Sequence, residues 1–351
     1  MDVIRRQEAA ALERLDPAVF DYYAGGAGNE QTLAENVQAW GRWWLRPRTM
    51  VDVSHVDPSV SLLGRRVAAP VVLAPMAAQR LLHPDGEVGA ARAAARAGLP
   101  YTLSTRATTD VAEVCAAAGD GAVWFQLYVQ TDRDATEAAV RHAVRSGVQA
   151  LVLTVDLPVA GRRERERANP EIVLPEGVTL ATHTGRPAAS TIKPLGGWDA
   201  ALRWEDIAWL QDIGDGTPVL VKGILTAEDA EAALAAGVQG VIVSNHGARQ
   251  LDGVVPTAIA LEEVAAAVEG RVPVLVDGGV RDGGDVVRAL ALGADAVLIG
   301  RPVAWALAAD GEAGVTALLA AFAEDVERAL ALCGCPEIGA VRRDRVRLAA
   351  W

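Results

Sequence analysis

Eight short apolar runs pace this chain, most of them closing on a small or polar residue before a helical pattern resumes. They are Val71 to Met76, Tyr101 to Thr105, Val123 to Tyr128, Ala150 to Asp156, Val219 to Gly223, Gly240 to Asn245, Pro273 to Gly278 and Ala296 to Gly300. Nearly all are rich in Val, Ile and Leu without polar alternation, the pattern of strands buried on both faces of a parallel sheet. Ala-rich amphipathic stretches lie between them, such as Gly86 to Ala97, Arg133 to Ser146, Ala227 to Ala236, Glu262 to Val268 and Gly284 to Ala291. Strand and helix alternating around eight strands predict a (β/α)8 barrel of the TIM type.

The remaining segments decorate that barrel. Residues 1–70 read as a partly helical N-terminal extension whose aromatic residues, Phe20, Tyr22, Tyr23, Trp40, Trp43 and Trp44, are expected to pack across one barrel end. The barrel spans 71–310, and 311–351 read as C-terminal helices. The widest gap, Leu157 to Pro218, is polar and carries Pro170, Pro175, Pro187 and Pro194. It predicts a lid-like loop 4 insertion at about 157–200, because structureless loops of that length in a compact domain are usually functional. All 351 residues are read as one domain.

Composition narrows the function classes. With 51% hydrophobic and 22% charged residues the chain has ample material for a core. The 33 basic against 45 acidic residues give a formal charge of -12, a field that repels phosphate backbones and anionic lipid, so no nucleic acid and no membrane are expected as partners. Cys115, Cys333 and Cys335 supply too few ligands for a structural zinc site, and no metal is expected. Met1 to Leu12 is charged and helix-forming without an apolar signal region, and no uninterrupted apolar stretch of spanning length stands out elsewhere, so the expectation is a cytoplasmic protein. Lysine occurs only at Lys193 and Lys222, which makes the second, closing an apolar strand, stand out.

Active sites of such barrels sit at the C-terminal ends of the strands. Here those ends bring Gln126 and Tyr128; Thr154 and Asp156 followed by Arg162 and Arg163; Lys222; Ser244, Asn245, His246 and Arg249; Asp277, Gly278, Gly279 and Arg281; and Gly300 with Arg301. His246 alone could be a structural histidine, but beside strand-end Arg and Asp it is the best general base, with Asp156 suited to orient it. Lys222 could reach solvent or set a fixed positive charge beside an anionic cofactor. Arg163 and Arg249 could be surface residues; as guanidinium forks beside a base they imply an acidic substrate. The glycine-rich turns Asp277 to Arg281 and Gly300–Arg301 follow strands seven and eight, where barrels commonly bind phosphate.

These residues resemble the FMN-dependent 2-hydroxy acid oxidases and dehydrogenases, a family that includes glycolate oxidase, lactate oxidase and mandelate dehydrogenase. The resemblance runs from about Asp21 to Val341 and is most specific in SNHGARQLD, Ser244 to Asp252. It extends to FDYYAGG (Phe20 to Gly26), LAPMA (Leu73 to Ala77), FQLYV (Phe125 to Val129), LTVD-x-P (Leu153 to Pro158), GRRE (Gly161 to Glu164), LVKG (Leu220 to Gly223), DGGVR and IGRPV. It implies FMN as cofactor, oxidation of a small L-2-hydroxy acid to the 2-keto acid, and reoxidation by oxygen or a diffusible acceptor. It implies His246 as base with Asp156 in support, Tyr22, Arg163 and Arg249 on the substrate carboxylate, Tyr128 on its hydroxyl, and Lys222 beside the flavin. Pro75, Met76, Ala77, Ser104, Gln126, Thr154 and Ser244 would line the flavin, and Asp277, Gly278, Gly279, Arg281, Gly300 and Arg301 its ribityl chain and phosphate. Homotetrameric assembly is a further implication.

Two positions depart from glycolate oxidase. Arg106 stands after the second strand where that enzyme carries a bulky aromatic, and Ala160 is the small residue at the position that packs on the substrate side chain. A roomier, more polar pocket follows, with Arg106 either pairing a distal substrate group or facing solvent. The alternatives are an oxidase acting on an aryl hydroxy acid or larger substrate, another phosphate-binding barrel such as a type 2 isopentenyl diphosphate isomerase, and a catalytically silent barrel that serves as a binding protein.

Overall fold

The computed structural model describes residues 2–180, 191–192 and 197–349. The eight expected runs form eight parallel strands hydrogen-bonded in sequence order and closed into a barrel: Val71–Leu73, Tyr101–Ser104, Val123–Leu127, Ala150–Thr154, Val219–Ile224, Gly240–Val243, Val274–Val276 and Ala296–Ile299. Closure is made by Val297 beside Val71 and Leu298 beside Val72. Their side chains are buried on both faces, which is why these stretches read as continuous apolar runs.

Seven strands stop one to three residues short of the expected ends. The residues that leave the ladder there include Pro75, Met76, Tyr128 and Asp156, at the barrel mouth. Strand five runs one residue further, through a register shift between Lys222 and Ile224. Gly223 sits in that shift at φ +117°, and a Cβ there would lie 2.7 Å from the Asp156 Cβ. Only glycine lets strand five pass that close behind Asp156.

Four of the connecting helices start where a short polar side chain caps their free N–H groups, whereas α4 (Gly86–Arg96) and α10 (Thr257–Val268) have no such cap. Asp110 accepts from Ala112 N at 2.8 Å before α5 (Val111–Ala118), and Asp132 accepts from Ala135 N at 3.2 Å before α6 (Arg133–Arg145). Thr226 and Asp282 do the same for α9 (Ala227–Ala235) and α11 (Gly283–Ala291).

The extension contains α1 (Asp2–Arg14), α2 (Pro17–Ala24) and α3 (Gln31–Gln38). Apart from Trp44, its aromatics meet segments that follow the C-terminal ends of barrel strands. Phe20 stacks on Trp305 at 5.0 Å, Tyr22 and Tyr23 enter the mouth, Trp40 Nε1 donates to Gly278 O, Trp43 Nε1 donates to Ala258 O, and Trp44 is exposed. The opposite end is approached by an antiparallel hairpin, Val60–Leu62 with Arg65–Val67, which meets the turns entering strands two and three through Arg65 to Asp120 O and Ala68 N to Gly98 O.

Of the C-terminal stretch expected to be helical, the α-helical part ends at Leu332: α12 (Arg301–Leu332) is two helical stretches meeting at a kink where Asp310 and Gly311 leave helical φ/ψ. Two short 3-10 turns follow, Ile338–Ala340 and Arg343–Arg345, before Val346–Leu348 pairs antiparallel with Trp43–Leu45 and ties the C-terminal tail to the N-terminal extension. By length and composition α12 could cross a membrane, but 56% of its most apolar window is buried against the protein. Loop 4 is not a bare lid: it holds α7 (Glu164–Ala168) and a short ladder between Ile172–Val173 and Thr191–Ile192 before α8 (Asp206–Ile213). Its expected lid stretch with Pro187, Lys193 and Pro194 lies outside the described residues.

Candidate active site

His246 leaves strand six in the left-handed region, φ +58°, with Gly247 at +62° and Ala248 at +64° behind it. This turn is held by side chains: His246 N donates to Ser244 Oγ at 3.1 Å and Ala248 N donates to Asn245 Oδ1 at 3.1 Å. The imidazole Nδ1 lies 2.7 Å from Asp156 Oδ1, and Tyr128 Oη lies 3.4 Å from Nε2. Burial, opposed by Asp156, holds the imidazole below the ordinary histidine pKa. Burial works against the Asp156 anion, yet His246 and Lys222 keep its carboxyl below the ordinary carboxylate value. A neutral imidazole donating Nδ1–H to an ionised carboxylate leaves Nε2 a free acceptor toward the cavity, the requirement for a base.

Lys222 is buried and donates to Ser244 Oγ at 2.7 Å, with Asp277 Oδ2 at 3.0 Å. Burial opposes its charge, but Asp277 and Asp156 raise its pKa, so it stays cationic. Ser244 closes a triangle by donating to Asp277 Oδ2 at 2.9 Å.

Two arginines stand across the mouth. Arg163 is buried, with Nε donating to Arg249 O at 3.0 Å, Nη1 to Glu166 Oε2 at 3.2 Å and Nη2 to Gln250 Oε1 at 3.3 Å. Arg249 lies over the Tyr22 ring at 5.1 Å and donates through Nη1 to Tyr22 O and Gly25 O. Burial and the charge of Arg163 push Arg249 down to about 10. Two guanidiniums this close and this buried are a site for an anion.

The cavity runs from these arginines past His246 and Tyr128 to a second cationic end at Arg281 and Arg301. The space in it open to a water-sized molecule is about 160 Å³. Arg301 is pushed down to about 9 by burial and by Arg249 and Arg281, and burial lowers Arg281 as well. Between the ends, Ser104 donates to Gln126 Oε1 at 3.1 Å and Gln126 Nε2 donates to Thr154 Oγ1 at 3.0 Å, a polar belt on one wall opposite apolar Leu298 and Ile299. Asp277 Oδ1 is buried without a hydrogen-bond partner.

The chain matches the FMN-dependent dehydrogenase family over residues 11–348. It belongs to that family. It is 47% identical to glycolate oxidase 1 of Oryza sativa subsp. indica over 352 aligned positions, 98% of this chain and 95% of that protein. It is 45% identical to the L-lactate oxidase of a Nostoc species, 94% of each chain being covered. A crystal structure of mandelate oxidase with benzoylformic acid superposes with a TM-score of 0.90 at 44% identity, covering 99% of both chains. This member of the FMN-dependent dehydrogenase family is therefore an oxidoreductase acting on the CH–OH of 2-hydroxy acids, and its cofactor is FMN.

The residues of this dehydrogenase fit that cofactor. Asp277 Oδ1 supplies an acceptor awaiting a hydroxyl, as a ribityl chain offers. Arg281 with Arg301 supplies the charge a phosphate needs, the Ser104–Gln126–Thr154 belt faces heteroatoms, and Pro75, Met76 and Ala77 give an apolar edge. The Gly278–Gly279 turn passes so close to α3 that a Cβ on Gly279 would lie 1.8 Å from Asn36 O.

Placement of the sequence-derived residues is uneven. Tyr22, Pro75, Met76, Ala77, Ser104, Arg106, Gln126, Tyr128, Thr154, Arg163, Lys222, His246, Arg249, Asp277, Gly278, Gly279, Arg281, Gly300 and Arg301 all line the cavity. Asp156 and Ser244 stand behind it, touching His246 and Lys222. Ala160 is exposed on loop 4, outside the cavity lining, because the chain turns away before α7. Arg301 spends Nε and Nη2 on the carbonyls of Tyr23, Gly25 and Gly247, so it also clamps the extension to the strand-six turn. Sequence reasoning missed Tyr23, whose hydroxyl bridges Ala77 O and Ala78 O at 2.8 Å each, and the Asn36–Asn245 amide pair. Tyr23 stood inside the FDYYAGG motif, whereas Asn36 carries no local signal.

Proposed function

We propose that the protein oxidises an (S)-2-hydroxy acid to the 2-keto acid with oxygen as electron acceptor. The observation that carries this reading is the placement of a neutral His246, backed by Asp156, in one cavity with paired Arg163 and Arg249. The arginines hold the substrate carboxylate, and Tyr128 and His246 Nε2 face its hydroxyl. His246 takes the hydroxyl proton as the α-hydrogen leaves the adjoining carbon with two electrons, as hydride, and Asp156, 2.7 Å away, stabilises the imidazolium. FMN supplies the redox chemistry when bound. Lys222 keeps a positive charge at that wall, and the arginine clamp fixes the reacting carbon against it.

The relatives named as oxidases support oxygen as acceptor, and the match to mandelate oxidase supports a side chain larger than that of glycolate. Arg106, half-buried on the cavity wall, supports a role in reading the distal part of the substrate. The test is anaerobic titration of the yellow protein with glycolate, lactate, mandelate and a hydroxy dicarboxylate, watching the flavin absorbance. Bleaching by (S)-mandelate or (S)-lactate, reversed by air, is the expected result; absence of bleaching by all four removes this reading. Arg106→Ala is expected to cost more kcat/KM on the dicarboxylate than on lactate, and equal losses remove the distal role. A cytoplasmic homotetramer is the accompanying expectation, checked by light scattering.

A further inference from the structure

Loop 4 brings a carboxylate of the protein's own to the place where the substrate's carboxylate is to be held. Glu166 projects from α7, and a single oxygen, Oε2, accepts from Arg163 Nη1 at 3.2 Å and lies 3.6 Å from Arg249 Nη2. Glu166 is partly shielded, its side chain 24% exposed, and it stands outside the residues that line the cavity. Its position is set from the far side of the helix. Arg165 pairs with Glu30 and lies 3.9 Å from Asp21, while Asn169 Nδ2 donates to Asp21 Oδ2 at 2.8 Å, so α7 is tied to α2 and to the turn that follows it.

The charge count then has a consequence. Two guanidiniums and one internal carboxylate leave one net positive charge, which one substrate carboxylate neutralises. Without Glu166 the clamp would present two positive charges to that single carboxylate. Substrate and keto-acid product both keep the carboxylate, so any excess attraction would hold the product as firmly as it draws the substrate.

We propose that Glu166 is a counter-ion built into loop 4 that limits how tightly the Arg163–Arg249 clamp holds carboxylates, so that the keto acid can leave. Its negative charge acts on the bound carboxylate through the two arginines and across the site, making it a positioning and affinity-setting residue rather than a catalytic one. This rests on the reading that those arginines bind the substrate carboxylate.

The experiment measures oxalate and benzoylformate binding to the oxidised holoenzyme by the perturbation of its flavin spectrum, where no turnover intrudes. Glu166→Gln keeps an oxygen to accept from Arg163 and removes only the charge, Glu166→Asp keeps the charge, and Arg249→Met removes half the clamp. Glu166→Gln is expected to bind both ligands about tenfold tighter, the scale of one unit charge several ångströms away in a partly buried site. The hydroxy-acid KM should fall in step, and added keto acid should inhibit turnover about tenfold more strongly than in the wild type. Glu166→Asp should bind as the wild type does. Unchanged or weaker binding in Glu166→Gln, with Arg249→Met binding poorly, overturns the counter-ion and leaves Glu166 a strut. Equal tightening in Glu166→Asp assigns the effect to geometry and overturns it too. Wild-type affinity in Arg249→Met overturns the carboxylate-clamp reading itself, and the counter-ion with it.

Discussion

His246, Gly247 and Ala248 turn left-handed in succession. For a non-glycine residue that conformation costs roughly 1–3 kcal/mol and persists only where the surroundings over-determine it. Here Ser244 Oγ, Asn245 Oδ1 and Asp156 Oδ1 do so, and the strain aims Nε2 into the cavity. The protonation state follows from burial: the imidazole titrates below the ordinary histidine value of about 6.5. Because the base must be neutral to accept a proton, activity is lost as pH falls through that depressed pKa, and the acid limb of kcat/KM against pH should lie below 6.5. Asp156 opposes the depression. Asp156→Asn should therefore move the acid limb further down while lowering kcat by about 10⁴-fold, the scale seen when a buried histidine loses the carboxylate that fixes its tautomer. An acid limb that stays in place or rises would show that Asp156 acts only as a packing residue.

At the scale of elements, the site is held by contacts between segments far apart in the chain. The Asn36 and Asn245 side chains exchange hydrogen bonds in both directions at 2.8 Å, joining α3 to the strand-six turn. Trp40 Nε1 and Thr257 Oγ1 hold the carbonyl of Gly278 from outside the barrel. Asn36→Ala would leave the buried Asn245 amide short of its partners and should destabilise the protein by about 2 kcal/mol in reversible denaturation. It should also weaken FMN retention, because the Gly278–Gly279 turn packs on the same residue; a variant as stable and as yellow as wild type would show that the amide pair is dispensable. None of this is local, which explains what the sequence could and could not show. The strands were readable because burial on both faces writes itself into consecutive residues, and the strand-end chemistry because a barrel delivers every such end to one mouth. Glu166 was unreadable for the opposite reason: inside the alternating Glu164, Arg165, Glu166, Arg167 it looks like a solvated charge run, and only the fold brings Arg249 to it. The short strand Val346–Leu348 at the end of the expected C-terminal helices was unreadable because it exists only through its pairing with Trp43–Leu45.

The whole chain carries a formal charge of -12, yet it gathers Arg163, Lys222, Arg249, Arg281 and Arg301 around one cavity. Internal carboxylates answer part of that charge: Glu166 meets Arg163 and Arg249, and Asp277 meets Lys222. At the far end burial lowers both Arg281 and Arg301, and the charges of Arg249 and Arg281 lower Arg301 further. The protein without cofactor thus holds two buried guanidiniums whose best partner is a phosphate dianion, so part of the folding free energy is realised only when FMN binds. Ligand at about 100 times its Kd adds about 2.7 kcal/mol to stability. For a chain of this size that corresponds to a rise in Tm of about 4 °C. Stripped protein should melt earlier and recover on adding FMN. Arg281→Met should behave differently at both steps. It removes a buried charge, so the stripped variant should melt no earlier than the stripped wild type, but it should gain little from the same FMN concentration. If the variant gained as much as the wild type, the phosphate would be held elsewhere in the cavity and the cationic end at Arg281 would need another explanation.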